Sequence, residues 1–507
     1  MKTERIKNSV LNILSNLIPN IILPIVSFFR IKNIVFYYGS AFNGLYQIFM
    51  QLVGFLQLSE LGFGAAFNVS LYKPLAKGDK KAVNKLYNAN KHYQKYVSMI
   101  MFFCSLLSFF IMPLFIKDLE VNIFKSTLLF ICFSLPYILN QLFNAKLVLL
   151  RSMQKEYVFN FYYQLLTFIR IIFSIILISY VDFFSFVIID SLLSIIVYLI
   201  SYFKVGKHIK EYITVTNEKD VKPARTTRYV LLHRISTLVS YNTDNIVLSS
   251  FVSIVSVSIY NSYMYILTAL ERIVGNTIMA PVSSFGNMFA SKVKYSHDVF
   301  KQVFYGAMFV NTIICTAFLF GAIDFVGIWM KGSDVSYQVS LITVFLFVLI
   351  LYYRVGRRPI LLVLESQNLY KETSLGAMLE ALTNVILSII LVRKSGMIGV
   401  LIGTVASLYL VDFFFKAYYG VKYGLKQSVK KYIYMNIIVF LIFIGNVLLI
   451  YLIDFAPALS LTSFIFKMIV ICLISLVTSF IVYYPCFKDF KELIKLGIRM
   501  IKRGKKA

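Results

Sequence analysis

Histidine occurs four times and cysteine five times in 507 residues, and acidic side chains number only 23. The histidines (His92, His208, His233, His297) and cysteines (Cys104, Cys132, Cys315, Cys472, Cys486) follow no metal-ligand or redox spacing, so the sequence offers no metal centre and the cysteines read as packing residues. Large polar segments on one side of the chain are also missing. "KDLEVNIFK" from Lys117 and "MKGSDVS" from Met330 are among the longest outward loops, too short to fold into a catalytic domain. No cleavable leader is evident, because Met1 to Asn8 run into a full-length apolar stretch without a small-residue cleavage site. Charged residues make up 15% and hydrophobic ones 59%, which excludes a soluble globular domain.

What is present is apolar sequence in membrane-length runs. Windows of about twenty residues predict spans near 9–31, 44–71, 96–116, 126–148, 158–180, 184–203, 229–252, 258–283, 303–328, 336–364, 374–392, 397–415, 432–453 and 462–485, about fourteen helices in all. The basic excess, 51 Lys and Arg, is distributed by side. With the N-terminus inside, about 40 fall on the inner loops and margins, about 7 outside and about 4 in span interiors. That distribution explains the net charge without nucleic acid and puts both termini in the cytoplasm. The C-terminal run "KDFKELIKLGIRMIKRGKKA" fits a basic amphipathic helix on anionic lipid.

The inner segment from Lys204 to Tyr229 is polar, charged and contains Pro223, and divides two sets of six spans. The expected organisation is a bundle over 1–203, a linker over 204–228, a second bundle over 229–431, two additional helices over 432–485 and a basic tail over 486–507. The halves echo one another: "FNGLYQIFMQLVGFL" from Phe42 and "VSIYNSYMYILTAL" from Val257 set Tyr46 opposite Tyr260 at an offset of 214. Six spans separate them, so the repeats share one orientation. The same offset sets Arg30 opposite Asp244, the aspartate in the apolar stretch "STLVSYNTDNIVLSS". An aspartate at mid-bilayer costs roughly 2.5–3.5 kcal/mol, so it calls for a partner or a task. Arg30 and Asp244 form a gate between the halves on one reading; on the other, Arg30 snorkels outward and Asn242, Thr243 and Asn245 satisfy Asp244.

The stretch "NGLYQIFMQLVGFLQLSELGFGAAFNVSLYKPLAKGD", Asn43 to Asp79, resembles the Wzx-type polysaccharide flippases of the multidrug/oligosaccharidyl-lipid/polysaccharide exporter superfamily. "YNTDNIVLSSFVSIVSVSIYNSY" from Tyr241, "APVSSFGNMFAS" from Ala280 and "LTNVILSIILVRKSGMIGVLIGTVAS" from Leu382 resemble later spans, although Ser253 and Ser258 replace glycines usual in that family. The resemblance implies an all-α, MATE-like integral membrane fold: two pseudo-twofold related six-helix bundles around a central cavity, plus two C-terminal helices. It also implies transport, by alternating access across the bacterial cytoplasmic membrane, of a polyprenyl-diphosphate-linked oligosaccharide. No cofactor follows, but a sodium or proton gradient is a plausible driver. Implied partners are the lipid-linked substrate, membrane lipids and polysaccharide polymerase and assembly proteins, with the chain itself a monomer.

A lipid diphosphate needs cations, and arginine's planar fork matches phosphate oxygens in pairs. Candidates in or near spans are Arg30, Arg234, Arg272 and the set Arg354, Arg357 and Arg358, whose spacing falls on one helix face. Inner-interface anchoring accounts for that set slightly better than ligand binding does, and adjacent Glu271 could neutralise Arg272. Arg170 reads as the partner of Asp190, and Asp412 as an i, i+4 partner of Lys416. Glu60 and Asp244 are candidates for ion coupling or gating, because a buried carboxylate can exchange a proton or hold sodium. Gly62 and Gly64 suit close packing or a local bend in the second span, and Gly399 and Gly403 a packing face in the twelfth. A MATE-like drug or cation exporter is the alternative within transport, disfavoured by the mix of arginine with acid. A membrane enzyme of glycan assembly is a second, for which no acid/base pair or metal cluster is found.

Overall fold

The computed structural model describes residues 2–60, 62–117, 119, 121–212, 218–222, 228–279, 296–367 and 369–504, and among them the chain is helical with no strand. The helices are α1 (Lys2–Tyr38), α2 (Ser40–Leu56), α3 (Phe63–Lys77), α4 (Lys80–Ile111), the short α5 (Pro113–Ile116), α6 (Ile123–Ser152), α7 (Tyr157–Leu177), α8 (Phe183–Ile209), α9 (Arg228–Phe251) and α10 (Ile254–Met279). They continue with α11 (Ser296–Trp329), α12 (Leu341–Gly356), α13 (Arg358–Ser366), α14 (Tyr370–Ser407), α15 (Phe413–Ala417), α16 (Val429–Tyr451), α17 (Leu461–Cys486) and α18 (Lys488–Gly504). Among the described residues eight helical stretches are long and apolar enough to cross a membrane, nine when α2 and α3 count as one bent span. One of the eight, Lys371–Leu425, is two helices joined at Gly396, whose φ of 54° only glycine adopts freely. The fourteen expected segments are compatible with this architecture.

Local chemistry explains the breaks. Gly62, at φ 79°, separates α2 from α3 with a bend of 45°. The Glu60 carboxylate turns back to accept the Gly64 backbone N–H at 2.7 Å, satisfying a donor at the start of α3. Beyond Gly396 the glycine face is used at once: a Cβ on Gly399 would lie 2.3 Å from the Leu391 carbonyl oxygen, and one on Gly403 2.8 Å from the Ser388 nitrogen. The two halves of α14 therefore pack backbone to backbone, as the spacing predicted.

The contacts divide the chain into two units, Met1–Ser258 with Gly332–Val335, and Ile259–Lys331 with Ser336–Ala507. In the first, α6 packs on α4 and α8, and α7 lies against α1 and α8. Phe67, Tyr87, Val148, Leu149 and Tyr198 form a buried core there. Helix α9 packs on α2, and the approach is close at one end: a Cβ on Gly44 would meet the Ile254 carbonyl oxygen at 2.1 Å. Segment 332–335 joins this unit through Asp334, which accepts the Ser40 N–H at 3.1 Å and so places a carboxylate at the start of α2. In the second unit α11 packs on α12, α16, α17 and α18. The first turns of α18 dock on protein: Phe490 is buried, with its ring 4.9 Å from Phe309 and 5.6 Å from Tyr483.

Candidate functional site

Each unit buries charge at defined places. In the first, Asp190 on α8 takes Arg170 of α7 at 2.6 Å and Arg30 of α1 at 3.5 Å, and Arg30 also donates to the Tyr46 hydroxyl at 2.6 Å. The Arg170–Asp190 pair expected from sequence is therefore present. Arg30 does not snorkel: its side chain is 12% exposed.

In the second unit Glu271 on α10 pairs with Arg358 at 2.7 Å and Arg354 at 3.7 Å. It does not serve its sequence neighbour Arg272, because adjacent residues on a helix point about 100° apart and Arg272 is exposed. Arg357 instead reaches Asp412 at 2.8 Å, alongside Lys416 and the Tyr353 hydroxyl, which donates to Asp412 at 2.8 Å. The stripe read on one face thus splits: positions 354 and 358 converge on one carboxylate and position 357 on another. In all three clusters one carboxylate is shared by two cations.

The offset of 214 extends well beyond Tyr46 and Tyr260. Tyr46 and Phe49 pack on Phe133 with ring centroids 5.2 and 5.6 Å apart, and at that offset Tyr260 and Tyr263 pack on Phe347 at 5.4 and 5.6 Å. The Arg170–Asp190 ion pair has as its counterpart a neutral bond from Asn384 to the Thr404 hydroxyl, 3.1 Å. The Arg357–Asp412–Lys416 cluster answers to an aromatic one: Phe143 lies 6.4 Å from Tyr198 and 4.6 Å from Tyr202. Each half thus repeats the contact positions while exchanging ionic for neutral chemistry.

A cavity of about 360 Å³ in the second unit lies beside the Asp412 cluster. Arg357, Lys416, Asn436 and several tyrosines, Tyr353 among them, stand in a wall with apolar groups such as Met308, Ile360 and Phe440. Of the remaining candidates, Asp244 is 2% exposed on α9, and Thr243 spends its hydroxyl on the Val239 carbonyl at 2.7 Å rather than on Asp244. Glu60 holds the start of α3. The side chain of Arg234 lies outside the described residues, as does the whole segment 280–291 that carried part of the family resemblance. Among the described residues no three His, Cys, Asp or Glu side chains gather as a metal site.

No protein-family model and no curated protein matches the sequence. Solved structures do. A lipid II flippase, MurJ, in an inward closed conformation aligns over 95% of this chain and 100% of its own with a TM-score of 0.65 at 16% identity. The fold is that of the MurJ and MATE transporters. An inward-facing multidrug resistance MATE transporter of the MOP superfamily aligns over 82% of this chain and 99% of its own, with a TM-score of 0.62 at 11% identity. An outward-facing one reaches 0.51 over 83% of this chain and 96% of its own at 13% identity. The MATE-like fold expected from the sequence is thereby established, shared with one lipid II flippase and two multidrug transporters.

Proposed function

We propose that this protein is a flippase that moves a polyprenyl-diphosphate-linked oligosaccharide from the inner to the outer leaflet of a bacterial cytoplasmic membrane by alternating access. The observation that carries this reading is extent: a MATE-length chain accounts for 82% of the protein, whereas the lipid flippase accounts for 95%. Arginines set among buried carboxylates suit an anionic cargo. In this reading the exposed Arg272, with Arg234, meets the diphosphate. Arg30, Arg354, Arg357 and Arg358 tune the field around it from their ion pairs. Asp244 serves coupling to sodium or protons, or gating with Arg30, and Glu60 acts at the bend between α2 and α3.

The test is complementation in a bacterial strain depleted of its own repeat-unit flippase, scoring surface polysaccharide and the lipid-linked oligosaccharide left on the inner leaflet. Restored surface polymer supports the proposal. Failure to complement, together with raised resistance to cationic drugs, would make the protein an exporter. Asp244→Asn and Arg30→Gln should each abolish complementation at normal membrane levels. Recovery in the charge-swapped double variant identifies a gate, and continued loss assigns Asp244 to coupling.

A further inference from the structure

A second cavity, about 690 Å³, opens in the first unit between α4, α6 and α8. Five lysines and one histidine converge on it: Lys91, His92, Lys95, Lys146, Lys210 and Lys219. No aspartate or glutamate lines it among the described residues. The convergence is built. Lys91 and Lys95 sit one turn apart on α4, and the Lys146 ammonium is held over the Tyr202 ring at 3.9 Å. Lys219 is brought in by residues 218–222, which are pinned to α4 by a Glu218–Lys85 bridge of 2.7 Å and by the Asp220 N–H on the Lys85 carbonyl at 3.3 Å. Gly206 leaves open space in front of α8, with nothing within 4 Å of where a Cβ would stand.

The internal repeat shows what is missing. At the offset of 214, Phe143, Lys146, Tyr202 and Gly206 answer to Arg357, Ile360, Lys416 and Gly420. There the space before the glycine is filled, because a Cβ on Gly420 would meet Ile360 at 2.6 Å, and Asp412 supplies negative charge. In the first half tyrosine, Tyr198, replaces that aspartate, the glycine faces a void, and lysines have gathered. A ring of like charges around an unfilled space calls for an anion from outside the chain.

We propose that this cavity binds the phosphate of an anionic membrane phospholipid. The lysines recognise a phosphate oxyanion, which a lipid headgroup or free phosphate could supply, and neighbouring aromatics select the lipid: Tyr96 and Phe203, 52% and 72% exposed, lie against the lining residues His92 and Tyr202 with ring centroids 4.7 and 5.7 Å apart, and acyl chains can lie along them. The bound headgroup would fasten segment 218–222 to α4, α6 and α8 whatever cargo the transporter carries.

Native mass spectrometry of the full chain in detergent tests this with dioleoylphosphatidylglycerol, dioleoylphosphatidylcholine and inorganic phosphate as probes. Phosphatidylglycerol should be retained and phosphatidylcholine not, and millimolar phosphate should fail to displace it. Lys91→Gln with Lys146→Gln should cut retention by roughly tenfold or more. Gly206→Leu, which fills the void, should do the same, whereas Gly206→Ala and the second-unit pair Lys430→Gln with Lys431→Gln should leave it intact. Equal loss in the second-unit pair would reduce the effect to diffuse surface attraction and overturn the site. Displacement by phosphate alone would overturn the lipid assignment in favour of a soluble anion.

Discussion

Arg170 with Asp190 and Asn384 with Thr404 are the same pair of positions in two chemistries, and they predict different sensitivities. Asp190→Asn removes the carboxylate that the buried Arg170 depends on, with side chains 8% and 16% exposed, and should cost about 3–5 kcal/mol. Asn384→Ala removes one neutral buried bond and should cost about 1–3 kcal/mol. Heating each variant in detergent and following the monodisperse peak by size exclusion orders them; equal losses would contradict the ionic role of Asp190. How legible such contacts are depends on sequence distance. Asp412 with Lys416 is readable from spacing alone, and Arg170 with Asp190 from two charges in consecutive spans. Glu271 with Arg358 is not, because 87 residues separate them and Arg272 stands beside the glutamate as a decoy. The lysines of the basic cavity are individually indistinguishable in sequence from ordinary inner-side charge.

Helix ends and helix contacts carry their own expectations. Gly44→Ala forces a methyl against a backbone carbonyl that cannot swing aside, so it should strongly reduce folded yield. Gly206→Ala meets nothing and should stabilise by up to about 1 kcal/mol, since glycine is a poor residue inside a helix. A paired thermal-stability measurement separates them in opposite directions. Asp182 caps α8, accepting from the Phe184 N–H at 3.0 Å and from Ser185; the Ser185 hydroxyl bond holds its carboxyl below the ordinary range. A lowered folded pKa means the cap's contribution is full at neutral pH and fades as pH falls through that value. Asp182→Ala should thus cost about 1 kcal/mol at pH 7, and the gap to wild type should close below pH about 4 in a pH series of melts. The bend at Gly62 and the packing face of Gly399 and Gly403 were legible because glycine spacing reports backbone approach directly, whereas the break at Gly396 was not singled out. The docking of α18 on α11 and α17 was not, because an amphipathic face looks the same whether protein or lipid covers it.

At the scale of the whole molecule, the distribution of Lys and Arg predicts that a C-terminal green fluorescent protein fusion fluoresces in the cytoplasm. A cysteine at Ser333 should react with a membrane-impermeant maleimide from outside; the opposite labelling would invert the orientation. Fold class was readable because hydropathy acts locally, and the fourteen expected segments are compatible with it. The internal repeat was visible only as a tyrosine echo, because its matching positions exchange chemistry: an ion pair for an amide and hydroxyl, three aromatics for three ions. That exchange means the protein carries its own redesign. Phe143, Tyr198 and Tyr202 are an already folded answer to what Arg357, Asp412 and Lys416 could become. Burying three rings in place of three charges is commonly neutral or stabilising by about 1–4 kcal/mol. The triple variant Arg357→Phe, Asp412→Tyr, Lys416→Tyr should therefore melt no lower than wild type, where Asp412→Tyr alone collapses. A chain that survives this transplant from its own other half but no longer transports would reveal which of the two copies was kept for work and which for shape.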